Sequence, residues 1–344
     1  MKVRTFCLFF AAALLLCNCG GKNKKSYDEM GSNGLTTRTE NLQTNIRTFA
    51  GKGTIIGQEY GTLEGVGYFN DSTRHGDINS ITGDYPGCNA YELAGIGEGK
   101  KVNVDGISFD IIRKDILDNF KHGCLTILTW SSSYDHEDNE TSEKEIKRLA
   151  DFLSSLQDGY GIKAPVILIP YPLEGKNWYA NLNPDAYKKL IEDVIDELKD
   201  DDVTNVIFGC SLGKVMAADD FANYVPDGID VLDYATTDAK TLTQMLPVLA
   251  SVAQDRNVAS GLTVNVKGVK DSTYFSKTIL PVIQKYRLSY VCFGANRGLD
   301  IKKAQYCVPF PGCSNALIHD FMTLYNDKSS IFRSKLNGLY LKKD

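Results

Sequence analysis

The sequence predicts an α/β fold of the (β/α)8 TIM-barrel class behind an N-terminal leader, and three observations carry that expectation. Short apolar, β-branched runs occur eight times, at 54–59, 87–93, 124–131, 166–171, 205–211, 229–235, 262–267 and 288–294. Their spacing of about 30 to 40 residues is the length of one strand plus one helix. The runs are apolar almost throughout, as strands of a parallel sheet buried on both faces must be. Eight strands close a barrel; a doubly wound open sheet would give similar strings, and it is the count that favours closure.

Ahead of the first run the chain opens with Lys2 and Arg4 and is apolar from Phe6 to Leu16. That stretch is too short for a hydrocarbon core, which takes about 20 residues, and reads as a secretory signal. Leu16-Cys17-Asn18-Cys19-Gly20 resembles a bacterial lipobox, in which Cys19 becomes the lipidated first residue of the mature chain. More than one acyl chain is enough for stable anchoring. Residues 1–19 are therefore expected to be the signal with its lipidated cysteine, 20–43, rich in Gly, Lys, Ser, Asn and Thr, a flexible tether, and 44–344 the barrel. The expected location is the cell envelope, lipid-anchored in the outer membrane on its periplasmic or surface face, with the anchor as the only membrane contact.

Between the runs lie amphipathic helices. Ser142 with Glu145 has the spacing of a capping box ahead of the stripe Ile146, Leu149, Leu153, Leu156. Asn183-Pro184 starts another, whose stripe is Tyr187, Leu190, Ile191, Val194 and Leu198. Without the two basic residues of the leader, acidic side chains exceed basic ones by about seven, a balance that repels nucleic acid and is indifferent to neutral polysaccharide. Cys124, Cys210 and Cys292 sit in strand-like runs as small buried hydrophobes, whereas Cys307 and Cys313 flank a Pro-Phe-Pro-Gly turn and are either a local disulfide or two thiols. The four histidines are scattered without ligand spacing, and no metal or cofactor is expected.

In a barrel of this kind the working residues lie at the carboxyl ends of the strands. Those ends carry Glu59, Trp130, Tyr171 with Glu174 and Trp178, Ser211, Asp233 with Tyr234, Asn265 with Lys267, and Asn296 with Arg297. Aromatic rings beside amides and carboxylates suit the apolar faces and hydroxyls of sugars. Glu59, Asp84 and Arg297 read equally as ion-pair partners at the mouth.

Gly57-Gln58-Glu59, Gly65-Val66-Gly67-Tyr68 and Gly83-Asp84-Tyr85-Pro86 resemble the opening of glycoside hydrolase family 26, the β-mannanases. Tyr91-Glu92-Leu93 stands where that family has a Trp-Asp-Leu-like step. Asn296-Arg297, Val308-Pro309-Phe310-Pro311-Gly312 and Asp320-Phe321 resemble its closing segments. The resemblance implies a glycan-binding cleft formed by Glu59, Asp84, Tyr85, Trp130, Tyr171, Trp178, Tyr234, Asn296 and Arg297. It also implies two catalytic carboxylates, and here the chain departs from the pattern. Leu173 falls where the acid should be and Pro172 where a histidine should be, with Glu174 one residue late; a bulge in the loop would bring Glu174 round. Val266 or Lys267 falls at the nucleophile position, and neither can form a glycosyl ester. Ser131 replaces the histidine beside Trp130.

The first expectation is thus a catalytically impaired, carbohydrate-binding lipoprotein that holds mannan or a related β-glycan beside active enzymes and other partners of polysaccharide utilisation. The second is an endo-β-mannanase or related hydrolase that uses Glu174. The third is an envelope scaffold that touches no sugar.

Overall fold

The computed structural model describes residues 29–69, 75–135 and 139–342. The expected signal, Cys19 and the first part of the tether lie outside them. Eight strands, β1 (Thr54–Glu59), β2 (Cys88–Glu92), β3 (Leu125–Trp130), β4 (Val166–Pro170), β5 (Val206–Leu212), β6 (Val231–Thr236), β7 (Ala259–Val264) and β8 (Tyr290–Phe293), pair in parallel in chain order. The sheet closes because β1 pairs with β8 along Ile55–Gln58 and with β2 along Gly57–Glu59. A short ninth strand, β9 (Ser330–Ile331), takes the free edge of β1 at Thr54 and Ile55, ahead of the point where β2 begins. The fold is the expected (β/α)8 barrel.

Strand alternation sorts the core into two sets. Ile55, Leu125, Ile127, Ile167, Ile169 and Ile207 point inward, while Ile56, Leu128, Leu168, Tyr91 and Leu262 point outward to the helices. The helix Thr37–Phe49 lies across the amino-terminal end of the barrel. Its Leu42, Ile46 and Phe49 join the inward set and are all but inaccessible, a burial that contributes about 1.5–3 kcal/mol each. Asn45 fastens this helix to the carboxyl-terminal segment by donating to the carbonyls of Gly338, Leu339 and Leu341. The folded part therefore begins before residue 44, and the last residues of the expected tether, from Thr37 onward, are helical.

Two boundaries differ from the sequence reading. The helix Asn139–Ser154 starts ahead of Ser142, which sits within its first turn rather than capping it. The seventh strand runs three residues earlier than expected, because Ser260-Gly261, of low strand propensity, is accommodated by its neighbour: the ring of Tyr290 on β8 fills the space a side chain at Gly261 would need. Asn183 caps the helix Pro184–Asp200 as expected, its side chain accepting from the Ala186 N–H at 3.0 Å. Among the described residues no helix is long and apolar enough to cross a membrane.

Candidate functional site

At the carboxyl end of the barrel the inward-facing positions open into a cavity of about 590 Å³. Glu59 enters it from the end of β1, Glu92 from β2, Ser211 from β5, Asp233 from β6, and Thr263 and Asn265 from β7 and the residue after it. Trp178 and Tyr179, on the loop after β4, form one wall. Their rings meet edge to face at 5.4 Å, and the Trp178 indole N–H donates to the Ser132 carbonyl at 3.0 Å.

The end of β4 decides where the displaced glutamate goes. Ile167 and Ile169 point inward, and strict alternation would send 171 and 173 in the same direction. Instead Tyr171 takes a left-handed backbone conformation, φ 47°, which inserts one extra residue into the alternation, and Pro172 and Glu174 become the cavity-facing pair. Leu173 is turned outward and buried; its N–H donates to the Ser211 carbonyl at 2.8 Å and its carbonyl accepts from Gly213, so it extends the sheet alongside β5. The residue aligned with the family acid is thus a core residue, and its neighbour Glu174 lines the cavity.

Four carboxyl groups share this space, and burial raises each of them. Glu174 is pushed up to about 8 by burial and then by the charges of Asp233, Glu59 and Glu92. Burial takes Glu92 to about 7, against hydrogen bonds from the Ala94 N–H at 2.7 Å and the Thr129 hydroxyl at 3.0 Å. Asp233 rises to about 6 through burial, opposed by the Ser211 hydroxyl at 2.8 Å, by Tyr290 and by Thr263. Glu59 is raised by burial despite the opposing Arg297 charge. A carboxyl raised in this way favours its protonated form, which is what a general acid requires.

The β7 side offers nothing equivalent. Asn265 faces the cavity, its amide oxygen 3.5 Å from the Cys307 thiol; Val266 packs on the core and Lys267 is exposed. A side pocket of about 170 Å³ adjoins the cavity at Glu59 and Asn265 and contains Asp105, Lys267, Arg297 and Gln305. Arg297 is fixed there by Glu64 at 2.8 Å and Asp105 at 2.5 Å, over the ring of Tyr60. The Tyr60 hydroxyl donates to Asp105 at 2.9 Å and accepts from Asn103 at 2.8 Å.

Several residues expected in the cleft lie elsewhere, and parity or depth explains each. Trp130 follows inward-facing Thr129 and therefore points outward, 1 % exposed, its ring 5.5 Å from that of Tyr171. Tyr234 follows inward-facing Asp233 and is buried among the helices for the same reason. Tyr171 is turned outward by its own backbone and packs on Trp178 and Tyr179 from behind. Asp84 and Tyr85 precede β2 and so sit at the opposite end of the barrel. Asp84 accepts from the Ser334 N–H and hydroxyl, and the Tyr85 ring lies 3.5 Å beneath the Arg333 guanidinium, tying the start of β2 to the chain beyond β9. Asn296 is buried and clamps loops together, accepting from the Cys307 N–H at 2.8 Å and donating to Asp77 at 2.7 Å. Cys307 and Cys313 are free thiols. Of the expected glycan ligands, Glu59 and Trp178 reach the main cavity, as does the candidate acid Glu174, and Arg297 reaches the side pocket. Glu92, Tyr179 and Asp105 were not among them; Glu92 carried a signal, since it ends β2 in phase with Cys88 and Ala90. No group of three or more His, Cys, Asp or Glu side chains among the described residues is placed to hold a metal ion.

A (β/α)8 barrel with a carboxylate-lined, aromatic-walled mouth is the architecture of many glycoside hydrolases, and comparison with solved structures narrows it. A family 26 β-mannanase from Bacteroides ovatus superposes with a TM-score of 0.82 at 27% identity, over 90% of this chain and 98% of that one. GH26C from a Muricauda species gives 0.78 at 18% identity, over 89% and 94%. A modular endo-β-1,4-mannanase from Cellulomonas fimi gives 0.75 at 18%, over 90% and 79%. The chain has a glycoside hydrolase family 26-like fold. No family model matches the sequence, and no curated protein matches it.

Proposed function

We propose that this protein binds a mannan-type or related β-linked glycan in the barrel mouth and has lost the family's double-displacement chemistry. The observation that carries this reading is the residue facing the cavity after β7. A retaining glycosidase needs a nucleophilic carboxylate about 5–5.5 Å from its acid. Asn265 supplies an amide there, and the next two residues are Val266, packed on the core, and the exposed Lys267. Trp178 and Tyr179 supply aromatic surface, and Glu59, Glu92 and Glu174 supply hydrogen-bonding groups for hydroxyls.

A second reading is favoured by Glu174. Its place in the cavity and its raised proton affinity suit a general acid, so hydrolysis assisted by another of the clustered carboxylates, Asp233 or Glu59, is the alternative. Affinity electrophoresis against mannans, glucans and xylans, run with a reducing-sugar assay on the same preparation, separates the two. Retarded migration without sugar release is the expected result; sugar release abolished by Glu174→Gln would establish the alternative. Lipidation at Cys19 and an envelope location belong to the same proposal. Cys19→Ala is expected to leave the protein unprocessed or out of the membrane fraction, and membrane retention of a correctly cleaved variant would refute that part.

A further inference from the structure

A second hollow, of about 550 Å³, follows the side pocket along the same wall of the mouth. Lys267 and Gln305 line the side pocket, and their chain neighbours Gly268, Ala304 and Tyr306 line the hollow. It is bounded by the loop after β7 and by a hairpin whose arms pair at Arg297 and Gln305. The hairpin is rooted by the Arg297 ion pairs, and its tip is the short turn Ile301–Lys303. Tyr306 and Phe310, their rings 5.3 Å apart, provide an aromatic surface within it.

The charged side chains that line this hollow are all basic. Lys270, Lys302 and Lys303 line it, Lys267 stands at the step toward the main cavity, and no carboxylate is among its lining residues. None of these four lysines makes an ion pair among the described residues, and the three that line the hollow face no carboxylate within it. The nearest acidic neighbours in sequence are turned to local backbone: Asp300 accepts from the Lys302 N–H at 3.0 Å and Asp271 from the Thr273 N–H at 2.9 Å. Lys270, Lys302 and Lys303 are exposed and give the hollow a positive potential on a chain of net negative charge, complementary to an anionic ligand, while Lys267 stands nearer Glu59 and Asp105 in the side pocket.

We propose that this hollow is an extension of the glycan site that takes an acidic segment of the chain, so that the preferred ligand is a β-glycan bearing carboxylate groups at a distance from the sugars held in the mouth. The proposal rests on the reading that the mouth binds glycan. It divides the work between two zones. The main cavity, with four acidic groups and, among the described residues, no basic one near its floor, suits neutral sugars, while the lysines recognise charge farther along the same polymer. Tyr306 offers its ring to a sugar face between them.

The test compares β-mannan with the same mannan partly oxidised at C6 to uronate, titrated into the full chain. The oxidised polymer is expected to bind about fivefold more tightly at about 50 mM salt, the scale of a few exposed charge pairs, and to lose that advantage at about 0.5 M. The triple variant Lys270→Gln, Lys302→Gln, Lys303→Gln is expected to remove the preference while leaving affinity for unmodified mannan unchanged. Equal binding of the two polymers, or a preference that survives the triple substitution, overturns the proposal and leaves the mouth reading intact. Dextran sulfate binding as tightly as oxidised mannan would reduce the hollow to a non-specific anion patch and also overturn it. Failure of both mannans to bind sinks the mouth reading itself.

Discussion

The ends of β4 and β7 both border the mouth, and both depart from the pattern of the family they resemble, with different outcomes. At β4 the departure is a shift of one residue, and the left-handed backbone of Tyr171 compensates it, bringing Glu174 to the cavity and sending Leu173 into the core. At β7 the departure is a loss, and no backbone adjustment can turn Asn265, Val266 and Lys267 into a carboxylate. A displaced functional group can be recovered by one dihedral angle, whereas a deleted one must be supplied from another strand.

The largest effect is expected at β7. Wild-type protein should release reducing ends from manno-oligosaccharides only at background, and Asn265→Glu should raise that rate by about a hundredfold, a partial recovery of the several powers of ten a nucleophile contributes. Adding Glu174→Gln should erase the gain. Strong hydrolysis by the wild type would mean that another carboxylate already does the work of β7.

The next effect is on stability. Trp130 is buried behind the mouth, so Trp130→Ala should cost about 3–5 kcal/mol in chemical denaturation while the folded fraction binds glycan normally. Trp178→Ala should do the reverse, weakening binding about tenfold in calorimetric titration with little loss of stability. If the two variants exchange roles, the parity assignment along β3 is wrong.

A further effect concerns the buried acid. The folded chain keeps the Glu174 proton up to about pH 8, and the unfolded chain releases it near the ordinary value of 4.5. The stability this proton contributes is full below about 4.5 and is lost as pH rises through about 8. Glu174→Gln, neutral throughout, should therefore melt above the wild type at about pH 9 and alongside it at about pH 4, with about 2 °C for each kcal/mol relieved in a domain of this size. Identical melting curves at both pH values would place the carboxyl in water.

Most of the barrel was legible because eight apolar runs at strand-plus-helix spacing leave few other ways to bury them. What misled was phase. Trp130, Tyr171 and Tyr234 all stand at strand ends, and chemistry alone makes them attractive cleft residues. Their direction depends on whether they fall in step with Thr129, Ile169 and Asp233, and all three are out of step or turned away by the Tyr171 bulge. Phase could have been counted from the strand residues for β3 and β6. For β4 it could not, because nothing in Ile169-Pro170-Tyr171-Pro172 announces a positive φ at a tyrosine. The Asp84-Tyr85 turn misled differently: it is part of a family motif, but it precedes its strand, and that alone assigns it to the stabilising end of the barrel.

The helix Thr37–Phe49 closes the barrel at the end opposite the mouth, and the chain leading to it arrives on that side. Between Cys19 and Glu29 the backbone can span at most about 35 Å. An anchor at Cys19, as proposed, would join the domain from this closed end and leave the mouth clear of the attachment. A long polymer could then lie across the rim without either end having to approach the bilayer.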